Sequence, residues 1–98
     1  MSRVDLDDKH REIVCKILKG FFPQLKIYVF GSRIDGRAKK YSDLDLALDT
    51  GSKISFLQLS QVEEALALTE IPFKVDITDI HSVSTDFKKH ILGHHIVW

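Results

Sequence analysis

The sequence predicts an α/β or mixed α+β domain, a small sheet flanked by helices, and three observations carry that prediction. Apolar residues recur at helical spacing over 5–19 and again over 55–68. Short β-branched or alternating runs occupy 25–30, 43–49 and 73–79. The two kinds of segment alternate along the chain, which is the pattern of strands and helices sharing one core.

The elements follow in order. Over 5–19, Leu6, His10, Ile13, Val14, Ile17 and Leu18 make one stripe, continued by Phe21. Asp5, Asp7 and Asp8 suit the positive end of such a helix, and Lys16 and Lys19 suit the other. Gly20 is placed to end it, with Pro23 following. Cys15 lies off the stripe and is expected to be partly exposed. "LKIYVF" reads as a strand that stops at Gly31-Ser32, and the polar, basic 33–40 reads as a short helix and loop. The strand over 43–49 alternates Leu44, Leu46 and Leu48 with Asp43, Asp45, Ala47 and Asp49. Thr50-Gly51-Ser52 closes it as a turn. A second helix over 55–68 is followed by the strand "FKVDITD". "TDFKKHIL" reads as a short helix capped by Ser84 or Thr85, and "HHIVW" as a last short strand or a packed tail.

Composition bounds the function. Ninety-eight residues, 1–98, suit one domain with a modest core and no separate substrate module. Fourteen Lys and Arg balance fourteen Asp and Glu. Phosphate neutralisation supplies most of the affinity for a polynucleotide, so zero net charge makes nucleic acid an unlikely direct substrate. One cysteine cannot make an intrachain disulfide, no cleavable signal pattern opens the chain, and no apolar run approaches a bilayer span. The expectation is a soluble protein of a reducing cytoplasm, with no membrane partner.

The chemistry concentrates on carboxylates. Asp43 and Asp45 project from one face of their strand, where like charges repel. Asp76, between Val75 and Ile77, points away from apolar neighbours and joins that pair if the strands are sheet neighbours. Three clustered carboxylates are unstable alone, and a divalent cation resolves the conflict. Mg²⁺ takes oxygen ligands, and two such ions can hold the attacking and leaving oxygens of a phosphoryl displacement. Gly31-Ser32, at a strand end, suits close backbone approach to phosphates.

Gly31-Ser32, ten residues, then Asp43-x-Asp45, with a third Asp on a later strand, resembles the nucleotidyltransferase superfamily typified by DNA polymerase beta. Over nearly its whole length ("VFGSR", "SDLDLAL", "VDITD", "DFKKHIL") the chain is similar to the minimal nucleotidyltransferase (MNT) family. A second Gly-Ser, Gly51-Ser52, is an internal control and fails, because Glu63 and Ala65 stand where the aspartates would. The resemblance implies the polymerase beta-like fold, with Asp43, Asp45 and Asp76 as metal-binding catalytic residues. It implies Gly31 and Ser32 on the β- and γ-phosphates, with Arg33 as a charge partner. It also implies two Mg²⁺ ions, ATP as donor, and a small helical HEPN-type toxin, encoded nearby, whose tyrosine receives AMP. The alternatives are a non-catalytic antitoxin that occludes its partner, and a small-molecule nucleotidyltransferase, which would need an acceptor domain.

Other candidates read as structural. Asp79 is a competitor to Asp76 but falls three residues on, and Asp49 reads as a turn residue. His94-His95 on an extended segment would face opposite ways, and Cys15 and His81 add no recognised zinc spacing. His10 reads as a packed helix residue, and Arg37, Lys39 and Lys40 as a solvated loop.

Overall fold

The computed structural model describes residues 4–98; Met1, Ser2 and Arg3, which open the polar N-terminal stretch, lie outside the described residues. The element order is α1 (Asp8–Phe21), β1 (Lys26–Phe30), a single 3-10 turn (Ser32–Ile34), β2 (Leu44–Asp49), α2 (Phe56–Ala67), β3 (Val75–Asp79), α3 (Thr85–Gly93) and β4 (Ile96–Val97). The four strands form one mixed sheet in the order β3-β2-β1-β4. β1 runs antiparallel to both β2 and β4, whereas β2 and β3 are parallel and are joined by a crossover through α2.

The period-two pattern of β2 decides which face is which. Leu44, Leu46 and Leu48 are completely buried, with Ile27 and Val29 of β1, against Val14 and Leu18 of α1 and Val62 and Leu66 of α2. Fully burying one such leucine is worth roughly 1.5–3 kcal/mol. The opposite face is only half covered. There Phe30, Ala47 and Ile80 pack with Ile91 of α3, and the Phe30 and Phe87 rings meet edge to face at 5.9 Å. Asp45 lies on this second face, beyond the patch covered by α3, because it alternates with the buried leucines.

Caps follow local chemistry. The Ser55 hydroxyl accepts from the Gln58 N–H at 3.1 Å, and Ser84 accepts from Phe87 N–H at 3.2 Å, so Ser84 rather than Thr85 caps α3. α1 departs from expectation at both ends. It starts after Asp7 because Asp5 is held elsewhere, its N–H donating to Arg33 O at 2.7 Å. It also runs through Gly20 to Phe21, since the anchoring of Val14 and Leu18 outweighs the ~1 kcal/mol helix penalty of one glycine. The strand expected over 43–49 begins at Leu44, the one expected over 73–79 begins at Val75, and 33–40 holds only the 3-10 turn. "HHIVW" supplies a strand of two residues.

Asp79 fastens the end of the sheet away from Gly31. It is buried and accepts from Ile54 N–H at 2.7 Å, Ser82 Oγ–H at 2.8 Å and His81 N–H at 3.0 Å. This ties the segment entering α2 to the turn leaving β3. Asp79→Ala strands these donors and is expected to cost about 3 kcal/mol, while Asp79→Asn, which keeps one acceptor oxygen, costs less. Urea unfolding midpoints of the two variants measure the difference; equal midpoints for Asp79→Ala and the parent chain contradict it.

Candidate active site

β1 ends at Phe30, and the chain turns sharply at Gly31, whose φ is 84°. Two constraints demand glycine here. The backbone lies in the left-handed region, and a Cβ at this position would collide with the Asp45 carboxylate. The same close approach brings the Gly31-Ser32 backbone against the carboxylate of the neighbouring strand. Ser32 is half-buried and opens the 3-10 turn, closed by Ile34 N–H donating to Gly31 O at 3.2 Å.

The sheet register assembles the carboxylates. Asp45 sits opposite Phe30 on one side and opposite Asp76 on the other. Paired residues in a ladder share a face, so Asp45 and Asp76 project together. Asp43 lies one residue before β2, exposed, and two residues from Asp45. Asp45 is the half-buried member and Asp76 is exposed.

The electrostatics agree with this placement. Burial pushes the Asp45 carboxyl above its ordinary value of 3.8, and the charges of Asp76 and then Asp43 push it further. Lys74 pulls the other way. Among the described residues, no group of three or more His, Cys, Asp or Glu is drawn together as a ready-made metal cluster. The donor set nevertheless fits a hard cation. It is all carboxylate oxygen, and Asp45 senses both other members as repulsive charge, which a divalent ion relieves. Asp43, Asp45 and Asp76 are the residues that would hold it.

Two residues near the site escaped the sequence reading. Phe30 lies directly across from Asp45. Lys74 is two residues before Asp76, so the period-two pattern that selects Asp76 also selects Lys74 as its neighbour on the same side of the extended chain. Arg33 is placed differently from a phosphate contact. It is 5% exposed, and its guanidinium donates to the carbonyls of Ser42, Lys40 and Asp5. Asp49 ends β2 and accepts from Gly51 N–H, with His81 Nε2 at 2.6 Å. His10 packs against the Phe73 ring at 5.5 Å.

A family model described as "Polymerase beta, Nucleotidyltransferase" matches residues 12–97. The chain belongs to the polymerase beta-type nucleotidyltransferase family. It is a nucleotidyltransferase by that membership, with the matched span containing Gly31-Ser32, Asp43-x-Asp45 and Asp76. It is 35% identical over 96 residues to a probable protein adenylyltransferase, MntA, of Haemophilus influenzae, an alignment covering 98% of this chain and 84% of that one. It also resembles a chain of a solved crystal structure of a toxin-antitoxin with AMP-PNP. There the TM-score is 0.76 at 26% identity, over 89% of this chain and 71% of that chain. The mixed four-stranded sheet with its three helices is the fold of this nucleotidyltransferase family.

The raised Asp45 carboxyl has a signed consequence. Its folded value lies above the unfolded one, so its contribution to stability is complete below about pH 3.8 and is lost as pH rises through the folded value. In metal-free protein, Asp45→Asn is therefore more stable than the parent at neutral pH, and the two converge below that value. Urea unfolding at acidic and neutral pH reads this directly; a variant weaker than the parent at neutral pH contradicts it. Gly31→Ala has the opposite sign, with a left-handed alanine costing about 1–3 kcal/mol before the clash with Asp45 is counted.

Proposed function

We propose that this nucleotidyltransferase moves AMP from ATP to a tyrosine hydroxyl of a small helical HEPN-type toxin and thereby acts as its antitoxin. The observation that carries the proposal is the ladder position of Asp45, opposite Asp76, with Asp43 two residues away and Gly31 against its carboxylate. The relative named as a probable protein adenylyltransferase supports a protein acceptor, and the toxin-antitoxin with AMP-PNP supports an adenine nucleotide and a toxin partner. The balanced net charge supports a protein acceptor over a polynucleotide. The setting consistent with these partners is the cytoplasm.

In this reading Asp43, Asp45 and Asp76 hold divalent cations, two Mg²⁺ ions being the expected complement. Bound Mg²⁺ supplies charge compensation for the triphosphate and a Lewis acid for its phosphoryl oxygens. The Gly31-Ser32 backbone, kept free of any Cβ, receives the β- and γ-phosphates. Asp76, exposed like Asp43 but carried on the edge strand β3, faces the incoming hydroxyl. Its carboxylate assists removal of the hydroxyl proton as the oxygen bonds to the α-phosphorus, and pyrophosphate leaves with the electrons of the broken P–O bond.

The test uses the purified chain, ATP, Mg²⁺ and the purified product of a neighbouring helical-protein gene. The expected outcome is an added AMP mass on a partner tyrosine, abolished by chelation of the metal. Asp43→Asn, Asp45→Asn and Asp76→Asn each lower the rate by about a hundredfold or more while the circular dichroism stays unchanged. Full neutralisation of the toxin by the Asp43→Asn/Asp45→Asn double variant would instead favour simple occlusion.

A further inference from the structure

Among the described residues, Arg33 is the buried cation of the domain. It is almost completely buried, yet no carboxylate among the described residues pairs with it; its hydrogen-bond acceptors there are backbone carbonyls. Nε and Nη2 donate to Ser42 O at 3.1 and 2.7 Å, Nη2 also reaches Lys40 O at 3.2 Å, and Nη1 donates to Asp5 O at 2.8 Å. Its own carbonyl accepts from Asp5 N–H. The Phe73 ring covers the guanidinium, with Cζ 4.2 Å from the ring centroid.

Each partner leads to the site. Ser42 O belongs to the peptide unit that joins Ser42 to Asp43, so the doubly bonded carbonyl fixes the plane from which Asp43 departs. Phe73 immediately precedes Lys74, whose carbonyl accepts from Leu44 N–H at 2.9 Å and begins the β2–β3 ladder. One planar cation thus grips the segment entering β2 and stacks on the segment entering β3. Asp43 lies one residue before β2, so the peptide that follows it is held by the Leu44–Lys74 bond and the peptide that precedes it by the Arg33 bonds to Ser42 O. Engaged with three carbonyls and a ring at this burial, the guanidinium is withdrawn from an incoming phosphate.

We propose that Arg33 is a positioning residue, whose carbonyl cage sets Asp43 relative to Asp45 and Asp76 and so sets the affinity of the site for its divalent cation. Lysine cannot substitute fully, because a single ammonium lacks the planar fork that reaches Ser42, Lys40 and Asp5 together. The functional consequence rests on the nucleotidyl transfer proposed above; the structural consequence does not.

The experiment compares the full chain with Arg33→Lys and with Phe73→Leu, which removes the stacked ring and leaves the carbonyls. Hydrogen exchange and calorimetric titration with Mg²⁺ alone are read on the isolated protein, so they report even if the transfer reaction is misassigned. Arg33→Lys is expected to unfold cooperatively, to exchange amides over 41–45 about tenfold faster, and to bind Mg²⁺ about tenfold more weakly, the scale usual when groups orienting a ligand are lost. Phe73→Leu shifts both in the same direction by less. In the transfer assay the half-saturating Mg²⁺ concentration rises, while the KM for ATP at saturating Mg²⁺ stays at the parent value. A raised KM for ATP with unchanged Mg²⁺ binding overturns the proposal in favour of a direct phosphate contact. Unchanged exchange over 41–45 overturns it outright, and failure of both variants to fold reduces Arg33 to a core residue.

Discussion

Everything in this domain depends on the register of β2. Its leucines and its aspartates occupy alternate positions of one short strand, so the burial that holds the core also holds the site. A slip of one residue against β1 or β3 would drive Asp45 into the apolar layer of α1 and α2 and turn Leu44, Leu46 and Leu48 to the half-covered face. The penalty includes burying a carboxylate without a partner, which far exceeds the loss of any single apolar contact. The electrostatic tension around Asp45 can therefore persist in the folded state. Repulsion from Asp76 and Asp43 acts on a strand that has no cheap way to move.

The mixed pairing of the sheet explains how so few residues suffice. β1 and β2 are antiparallel, so the end of β1 lies beside the beginning of β2 and Gly31 meets Asp45. β2 and β3 are parallel, so their beginnings coincide and Asp76 arrives beside Asp45. A wholly antiparallel meander would have brought the end of β3 to this place instead. The crossover through α2 makes the parallel pairing feasible, and Asp79 secures it at the far end by binding the loop that enters α2. The structural carboxylate and the site carboxylates thus lie at opposite ends of the same strand pair.

The parts of this arrangement legible in the sequence are those with a local signature. Alternation marked β2 and its two aspartates, a Gly-Ser pair marked the end of β1, and a hydroxyl residue before "DFKKHIL" marked the start of α3. The parts that were not legible depend on backbone partners distant in the chain. Asp5 looked like the first turn of a helix, but a bond to the Arg33 carbonyl holds it outside. Arg33 beside Gly31-Ser32 looked like a charge for phosphate, but its partners are carbonyls, which leave no trace in side-chain identity. Gly20 looked like a stop signal, and tertiary anchoring of the preceding turn carried the helix past it. Only Lys74 was missed despite a local signal.

The unequal burial of the three carboxylates bears on how the proposed chemistry is divided. A half-buried Asp45, opposite Phe30 and against Gly31, is the group whose charge is most costly and whose geometry is most fixed. Compensating it gives a cation its strongest electrostatic reason to bind. Asp76, on the outer strand and exposed, is restrained by one ladder only and remains open to a third party. Under the proposed transfer to a protein acceptor, that asymmetry lets one face of the site close on the nucleotide while the other receives a hydroxyl carried by a separate protein. The edge of β3 is where these requirements meet, since among the described residues no further strand stands between Asp76 and an approaching partner.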